Sequence, residues 1–209
     1  TTGACSFMDT FAQVTDTIGQ KGRRGALMLS MDINHPDIEE FIDKKTNTDK
    51  VTSANISVKV TDDFMNAVVT KQKYTCSYLL EDGSLITKEV DADKLFEKLA
   101  KNNWDYAEPG ILYWDNINNN NLLSEYIKAG DFAYAGVNPC AEEPLPAGGA
   151  CNLGAINLSK FVLDPYTETA IIDYMELACT IYKAVYAIND LLIEGADLHP
   201  LEMQRESVK

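Results

Sequence analysis

The sequence predicts an α/β fold, because segments with strand periodicity alternate with segments of helical periodicity along the chain. Apolar residues alternate over 53–60, as expected for a half-buried strand. Apolar residues recur three and four positions apart over 6–17, which indicates an amphipathic helix. Two further strand-like segments, 74–80 and 84–90, flank a Glu-Asp-Gly turn and predict a β-hairpin.

The other elements follow from the same signals of periodicity, capping and turn composition. They are a strand at 26–31, a helix after His35-Pro36-Asp37, a helix capped within 61–63, a helix capped by Asp91, a strand at 111–114, a loop at 116–121, a long loop at 136–149, a strand at 151–158 and a helix at 167–193. The last helix is apolar on most faces, so it is expected to be substantially buried. A structureless loop as long as 136–149 is usually functional.

Charge, apolar runs and cysteine spacing argue against several classes of protein. The formal net charge of −14 argues against a partner that is a nucleic-acid polymer, because no basic surface is available to release counterions. No apolar run approaches the roughly 20 residues that span a bilayer. The N-terminal residues do not resemble a signal peptide, so we expect a reducing, cytoplasmic location. The five cysteines (5, 76, 140, 151 and 179) lack CxxC spacing and only two histidines accompany them, so no metal site is expected.

Cys140 lies in the long loop, directly after Pro139. For a cysteine in an arbitrary loop, the commoner interpretation is a small buried hydrophobic residue. Here Asn138 and Glu142 stand two residues before and after it, which places the three side chains on one side if the segment is extended. Cys151 follows at the start of the next predicted strand. This pattern favours a reactive thiol over a packing residue.

The run Asn138-Pro139-Cys140-Ala141-Glu142, followed by Cys151-Asn152-Leu153-Gly154-Ala155-Ile156-Asn157-Leu158, resembles the catalytic subunit of ribonucleotide reductases. Similar stretches occur elsewhere, at 22–26, 35–38, 41–42 and 55–58. The resemblance implies that residues 1–209 form part of a single catalytic domain, the ten-stranded α/β barrel, with a finger loop at about 136–150. It also implies that these residues are inactive without the remaining part of the catalytic subunit.

The resemblance assigns roles to four residues. Cys140 carries the thiyl radical that removes the 3′-hydrogen of a ribonucleotide, and Glu142 is the general base for the 3′-hydroxyl. Asn138 positions the ribose hydroxyls. Cys151 is one member of the dithiol that supplies two electrons and becomes a disulfide. Its partner is expected upstream; Cys5 is a weak candidate for it, whereas Cys76 and Cys179 are interpreted as structural.

The basic segment 19–25 could be only a solvated turn. By resemblance it is the loop between the substrate base and a deoxynucleotide or ATP effector, with Lys21, Arg23 and Arg24 as the contact residues. The remaining partners implied are a thioredoxin-type reductant and a second copy of the full-length subunit.

No cofactor is expected to bind within these residues. The motifs resemble the adenosylcobalamin-dependent branch more than the branch that uses a metal-bearing radical small subunit, so adenosylcobalamin is expected for the full protein. Two other functions stay open. One is a thiol hydrolase with Cys140 as nucleophile, which neither His35 nor His199 supports with a motif. The other is a non-catalytic piece of a split or degenerate reductase.

Overall fold

The computed structural model describes residues 3–18 and 25–208. The chain divides into two compact units, Thr1–Pro144 and Leu145–Lys209. Each unit is built mainly from contacts within itself. The mixture of strands and helices confirms the predicted α/β class.

The first unit contains a three-stranded parallel sheet covered by helices. After a short 3-10 helix at Ala4–Phe7, its elements in chain order are α1 (Met8–Thr17), β1 (Leu27–Asp32), α2 (Ile38–Asp43), a 3-10 turn (Lys44–Thr46), β2 (Ala54–Val60), α3 (Asp62–Val69), β3 (Lys73–Leu79), β4 (Leu85–Asp91), α4 (Ala92–Tyr106), β5 (Gly110–Tyr113), α5 (Trp114–Asn119), α6 (Ser124–Ala129), β6 (Gly136–Val137) and, at the boundary with the second unit, β7 (Pro144–Leu145).

Strand β2 is the central strand of the sheet. The strand order in this sheet is β1-β2-β5, and both pairings are parallel. One face of β2 carries Ile56 and Val58 into the core, where Phe41 and Phe64 are among the largest fully buried side chains. Fully burying such a side chain stabilises the fold by about 1.5–3 kcal/mol. The core therefore lies on one side of this strand, and the other side is left for polar residues.

Capping follows the sequence prediction at one helix and departs from it at another. The hydroxyl of Thr61 accepts a hydrogen bond from the backbone N–H of Phe64 at 3.2 Å, so Thr61 caps α3 as predicted. Asp91 stands at the N-cap of α4, but its side chain makes no capping hydrogen bond. The prediction of a side-chain cap is wrong there, because the carboxylate pairs with Lys73 at 2.7 Å and Lys94 at 3.2 Å.

The predicted hairpin is confirmed as the antiparallel pair β3–β4, in which Leu79 faces Leu85 next to the turn. Gly83 in the turn has φ of 83°, a conformation that glycine adopts without steric cost. The prediction of a loop at 116–121 is wrong, because helix α5 covers Trp114–Asn119 and helix α6 follows it. Asparagine has only a modest helix penalty, and tertiary context overrides it.

The second unit contains a 3-10 helix (Leu158–Phe161), β8 (Val162–Leu163), β9 (Ile171–Ile172), α7 (Tyr174–Ala196) and α8 (Glu202–Val208). The predicted strand at 151–158 is wrong: residues 151–157 have no regular structure, and no strand of the described chain pairs with them. An extended segment needs a neighbour for its backbone groups.

Helix α7 begins at Tyr174, later than the predicted position 167, because residues 171–172 form a strand. The prediction that it is substantially buried is also wrong, since Tyr182 is 64% and Leu191 63% exposed and only Ala196 is buried. Among the described residues, no helix is both long and apolar enough to cross a membrane.

Candidate functional site

Residues 138–143, hereafter the Cys140 turn, fold back on themselves through three hydrogen bonds. The backbone N–H of Asn138 donates to the carbonyl of Glu143 at 3.1 Å, and the N–H of Ala141 donates to the carbonyl of Asn138 at 2.9 Å. The N–H of Glu143 donates to Oδ1 of Asn138 at 3.0 Å. Ala141, the last residue of the turn that its own N–H closes at 138–141, has φ of 68°, in the left-handed region.

The segment is thus a turn and not an extended chain, so the alternation argument that linked Asn138, Cys140 and Glu142 is wrong. In the turn, Cys140 and Glu142 are both exposed and Asn138 is half-buried. Asn138 is the residue that holds the turn closed, through both its main chain and its side chain. The convergence of the three side chains on a substrate stays a prediction.

Two residues of β2 reach the segment that carries Cys140, and sequence reasoning gave neither of them a role. Asn55 donates from Nδ2 to the carbonyl of Pro139 at 2.7 Å. Lys59 donates from Nζ to the carbonyl of Ala135 at 2.8 Å. The sequence signal that could have indicated this role is the polar residue at every second position of an otherwise apolar strand. A polar side chain that faces away from the core needs either a hydrogen-bond partner or solvent.

Lys59 is held by more than this carbonyl. Its ammonium lies 4.1 Å from the ring centroid of Trp114, a cation–π contact, and 4.0 Å from the carboxylate of Asp32. Burial lowers the pKa of Lys59, and the negative charge of Asp32 opposes that shift. Several weak contacts therefore fix one side chain beneath the segment leading to Cys140.

The five cysteines are all free thiols, and they differ in burial. Cys140, Cys151 and Cys179 are exposed. Cys5 and Cys76 are buried, and each points its sulfur at a backbone carbonyl, that of Asp37 at 3.9 Å and that of Ile33 at 3.5 Å. Burial, with Glu40 and Asp37 nearby, raises the pKa of Cys5 to about 11. A thiol so hard to ionise is a poor redox partner.

Lys21, Arg23 and Arg24 lie outside the described residues. Gly25 is described, and its Cα lies so close to Thr15 that an added Cβ would be 2.6 Å from the Thr15 carbonyl oxygen. A cavity of about 500 Å³ opens beside the first residues of β1 and β2. It is lined by Asp16, Gly25, Ala26, Leu27, Thr52, Ser53 and Asn55.

The described part of the chain contains no group of three or more His, Cys, Asp or Glu side chains that could hold a metal ion. The Cys140 turn itself offers an exposed thiol, the exposed carboxylate of Glu142 and the half-buried carboxamide of Asn138.

Comparisons with known proteins identify the family of the chain. The model of the ribonucleotide reductase barrel domain matches residues 1–209. The chain therefore belongs to the ribonucleotide reductase barrel-domain family, as the resemblance implied.

Its relatives include proteins named for vitamin B12. The chain is 38% identical over 202 residues to the vitamin B12-dependent ribonucleoside-diphosphate reductase of Thermoplasma acidophilum, covering 96% of the chain and 25% of that protein. It is 36% identical over 187 residues to the vitamin B12-dependent ribonucleotide reductase of Streptomyces avermitilis, covering 78% of the chain and 19% of that protein. The chain thus spans a quarter or less of the length of these two relatives.

Proposed function

We propose that these residues supply the radical-carrying cysteine of a ribonucleotide reductase catalytic subunit, on the finger loop of a ten-stranded α/β barrel formed with the remaining part of that subunit. The observation that carries the proposal is the Cys140 turn, in which Asn138 closes a short loop that exposes Cys140 and Glu142 together. Alone, the 209 residues are expected to show no turnover.

The proposed reaction begins with Cys140 as a thiyl radical. Its sulfur takes the 3′-hydrogen atom of the ribose, so that an S–H bond forms, the C3′–H bond breaks and the unpaired electron moves to C3′. The carboxylate of Glu142 accepts the proton of the 3′-hydroxyl, which assists departure of the 2′-hydroxyl. That hydroxyl leaves as water with a proton from a thiol of the reducing pair.

Two electrons then reduce the sugar, and they come from two thiols that close to a disulfide. Cys151 is proposed as one of these thiols; its exposure and its free state agree with such a role. Return of the hydrogen from Cys140 to C3′ restores the thiyl radical. The balance is one ribonucleotide and two thiols converted into one deoxyribonucleotide, one disulfide and one water.

The names of the relatives support adenosylcobalamin as the radical source of the full protein; the alternative is a metal-bearing small subunit. Three of the cavities in the described part of the chain, of about 550, 500 and 290 Å³, have neither Cys140 nor a neighbour in its turn in their lining.

The remaining partners are proposed on the family alone. They are a ribonucleotide substrate, deoxynucleotide or ATP effectors acting through Lys21, Arg23 and Arg24, a thioredoxin-type reductant, and a second full-length subunit in a homodimer.

The test is Cys140→Ser in a full-length subunit that carries this sequence, with adenosylcobalamin as the sole radical source. We expect no deoxynucleotide formation, because a hydroxyl hydrogen is far harder to remove than a thiol hydrogen. Cys179→Ser is the matched control, since it changes another exposed thiol and should keep turnover within about twofold. Full activity of Cys140→Ser would refute the role of Cys140. An unsubstituted protein that is inactive with adenosylcobalamin would favour either the metal-bearing small subunit as radical source or the non-catalytic piece of a split or degenerate reductase, and activity with a small subunit would distinguish the two.

A further inference from the structure

Strand β2 has two chemically different faces. Ile56 and Val58 point into the core, whereas Asn55, Ser57 and Lys59 stand on the opposite face, called here the polar face of β2. Side chains alternate between the two faces of a strand, so these three residues form one row. Ser57 in the middle of the row is buried, and Gly110 of the neighbouring strand lies against it. The row is therefore buried at its centre, at Ser57, half-buried at Lys59 and exposed at Asn55.

The segment that covers the ends of this row runs in the opposite direction to β2. Asn55 binds the carbonyl of Pro139, and Lys59 binds the carbonyl of Ala135. The two donors are four positions apart in the sequence, and so are the two acceptors. At about 3.3 Å per residue, both distances correspond to roughly 13 Å of extended chain. Matched spacing of this kind fixes the segment at two points and therefore sets its register along the strand.

The contact at Asn55 acts directly on Cys140. The carbonyl that accepts its hydrogen bond belongs to the peptide group joining Pro139 to Cys140. This peptide group is planar, so fixing its oxygen also fixes the nitrogen and restrains the Cα atom of Cys140. The three hydrogen bonds described within the Cys140 turn are local, and they determine its shape. The bond from Asn55 determines where that shape lies on the sheet.

We propose that Asn55 is a positioning residue for Cys140: its side-chain amide holds the Pro139–Cys140 peptide on the polar face of β2 and thereby sets the distance between the thiol and the substrate. Lys59 holds the same segment at Ala135, four positions before Pro139. The functional part of this proposal depends on the radical chemistry proposed for Cys140. A hydrogen-atom transfer is sensitive to placement, and a displacement of about 1 Å can cost about 10²-fold in rate.

The test uses Asn55→Asp and Asn55→Ala in the full-length subunit. Aspartate has nearly the same shape but cannot donate, and its charge repels the Pro139 carbonyl. We expect kcat to fall about 10- to 100-fold in both variants while KM stays within about twofold, since the substrate contacts are unchanged. Hydrogen–deuterium exchange should become faster at the amides of Ala141 and Glu143 and stay unchanged in the hairpin β3–β4.

The chain offers a matched control. Asn103 donates from Nδ2 to the carbonyl of Pro109 at 2.9 Å, which is the same pair of groups at a place that does not carry Cys140. Asn103→Asp should leave kcat within about twofold and leave exchange in the Cys140 turn unchanged. An equal loss of kcat in Asn103→Asp, or an unchanged kcat in both Asn55 variants, would overturn the proposal.

The outcome is separable from that of the proposed function. Should Cys140→Ser retain turnover, the radical role of Cys140 fails, and the exchange rates alone decide whether Asn55 holds the turn. Unchanged exchange at Ala141 and Glu143 in both Asn55 variants would refute the structural part of the proposal, whatever the activity. A rise in KM with an unchanged kcat would place Asn55 in substrate binding and would also refute it.

Discussion

The side-chain oxygen of Asn138 accepts a hydrogen bond from the backbone N–H of Glu143 at 3.0 Å. The backbone N–H of Asn138 donates in turn to the carbonyl of Glu143. One lone pair of the carboxamide oxygen is therefore used within the turn. The NH₂ group of Asn138 makes none of these bonds and is available to donate to a ligand.

Removing this side chain should loosen the turn. For Asn138→Ala we expect faster hydrogen–deuterium exchange at the Glu143 amide, because a typical net hydrogen bond contributes about 1 kcal/mol. Asn157→Ala is the matched control, since Oδ1 of Asn157 accepts from the N–H of Ser159 at 3.1 Å in a comparable local turn. That variant should change exchange near Ser159 only. Unaltered exchange at Glu143 in Asn138→Ala would contradict the assignment.

Glu142→Gln should separate catalysis from binding. The substitution keeps the size of the side chain and removes its capacity to accept a proton, so in a full-length subunit kcat should fall about 10²-fold or more. Nucleotide affinity, measured by equilibrium dialysis, should change less than about threefold. The neighbouring Glu143→Gln, also at an exposed carboxylate, serves as the control and should keep its kcat. A Glu142→Gln enzyme with normal turnover would exclude this residue as the base.

The thiols should fall into two kinetic classes. Alkylation of the native, reduced protein followed by peptide mapping should label Cys140, Cys151 and Cys179 rapidly, because these three are exposed. The buried Cys5 and Cys76 should react only after denaturation, giving five thiols in total. Cys151→Ser should remove one fast site and leave the rates of the others unchanged. Rapid native labelling of Cys5, or a Cys5–Cys151 disulfide after mild oxidation, would instead favour Cys5 as the reductive partner.

Alkaline pH should destabilise the fold through Cys5. Burial raises its pKa to about 11, so the folded protein keeps the proton over a range in which the unfolded chain releases it. Stability from this thiol is fully present below the ordinary cysteine pKa and declines up to about pH 11, by roughly 3 kcal/mol. Urea denaturation at several pH values should show this fall, and it should be smaller in Cys5→Ala. An identical pH profile in the two proteins would contradict the assignment.

Much of the first unit could be predicted from the sequence, because its signals are local. The alternation around Val58, the cap at Thr61 and the Gly83 turn each determine their element with little help from distant residues. The second unit could be predicted less well. Residues 151–157 have strand-like composition, yet a strand exists only where a neighbour accepts its hydrogen bonds, and sequence periodicity does not supply that information.

The candidate site was predictable in its residue types and not in its geometry. Asn138, Cys140 and Glu142 were recognised by their motif, but the assumption of an extended chain missed the turn closed at Glu143. Asn55 belonged to a recognised stretch as well, and its contact lies 84 residues away in the chain. A single polar side chain on a strand does not reveal which distant carbonyl it will meet.

The exposed apolar side chains of α7 have a consequence for how the isolated chain behaves in solution. Met175 is 80% and Ile193 68% exposed, so the helix presents apolar surface on which another molecule can associate. A formal charge of −14 keeps molecules apart at low ionic strength. Salt shortens the range of that repulsion to about 8 Å at physiological strength and leaves the apolar attraction in place. The colloidal stability of these 209 residues should therefore decline as salt is added, through association at exposed apolar surfaces such as that of α7.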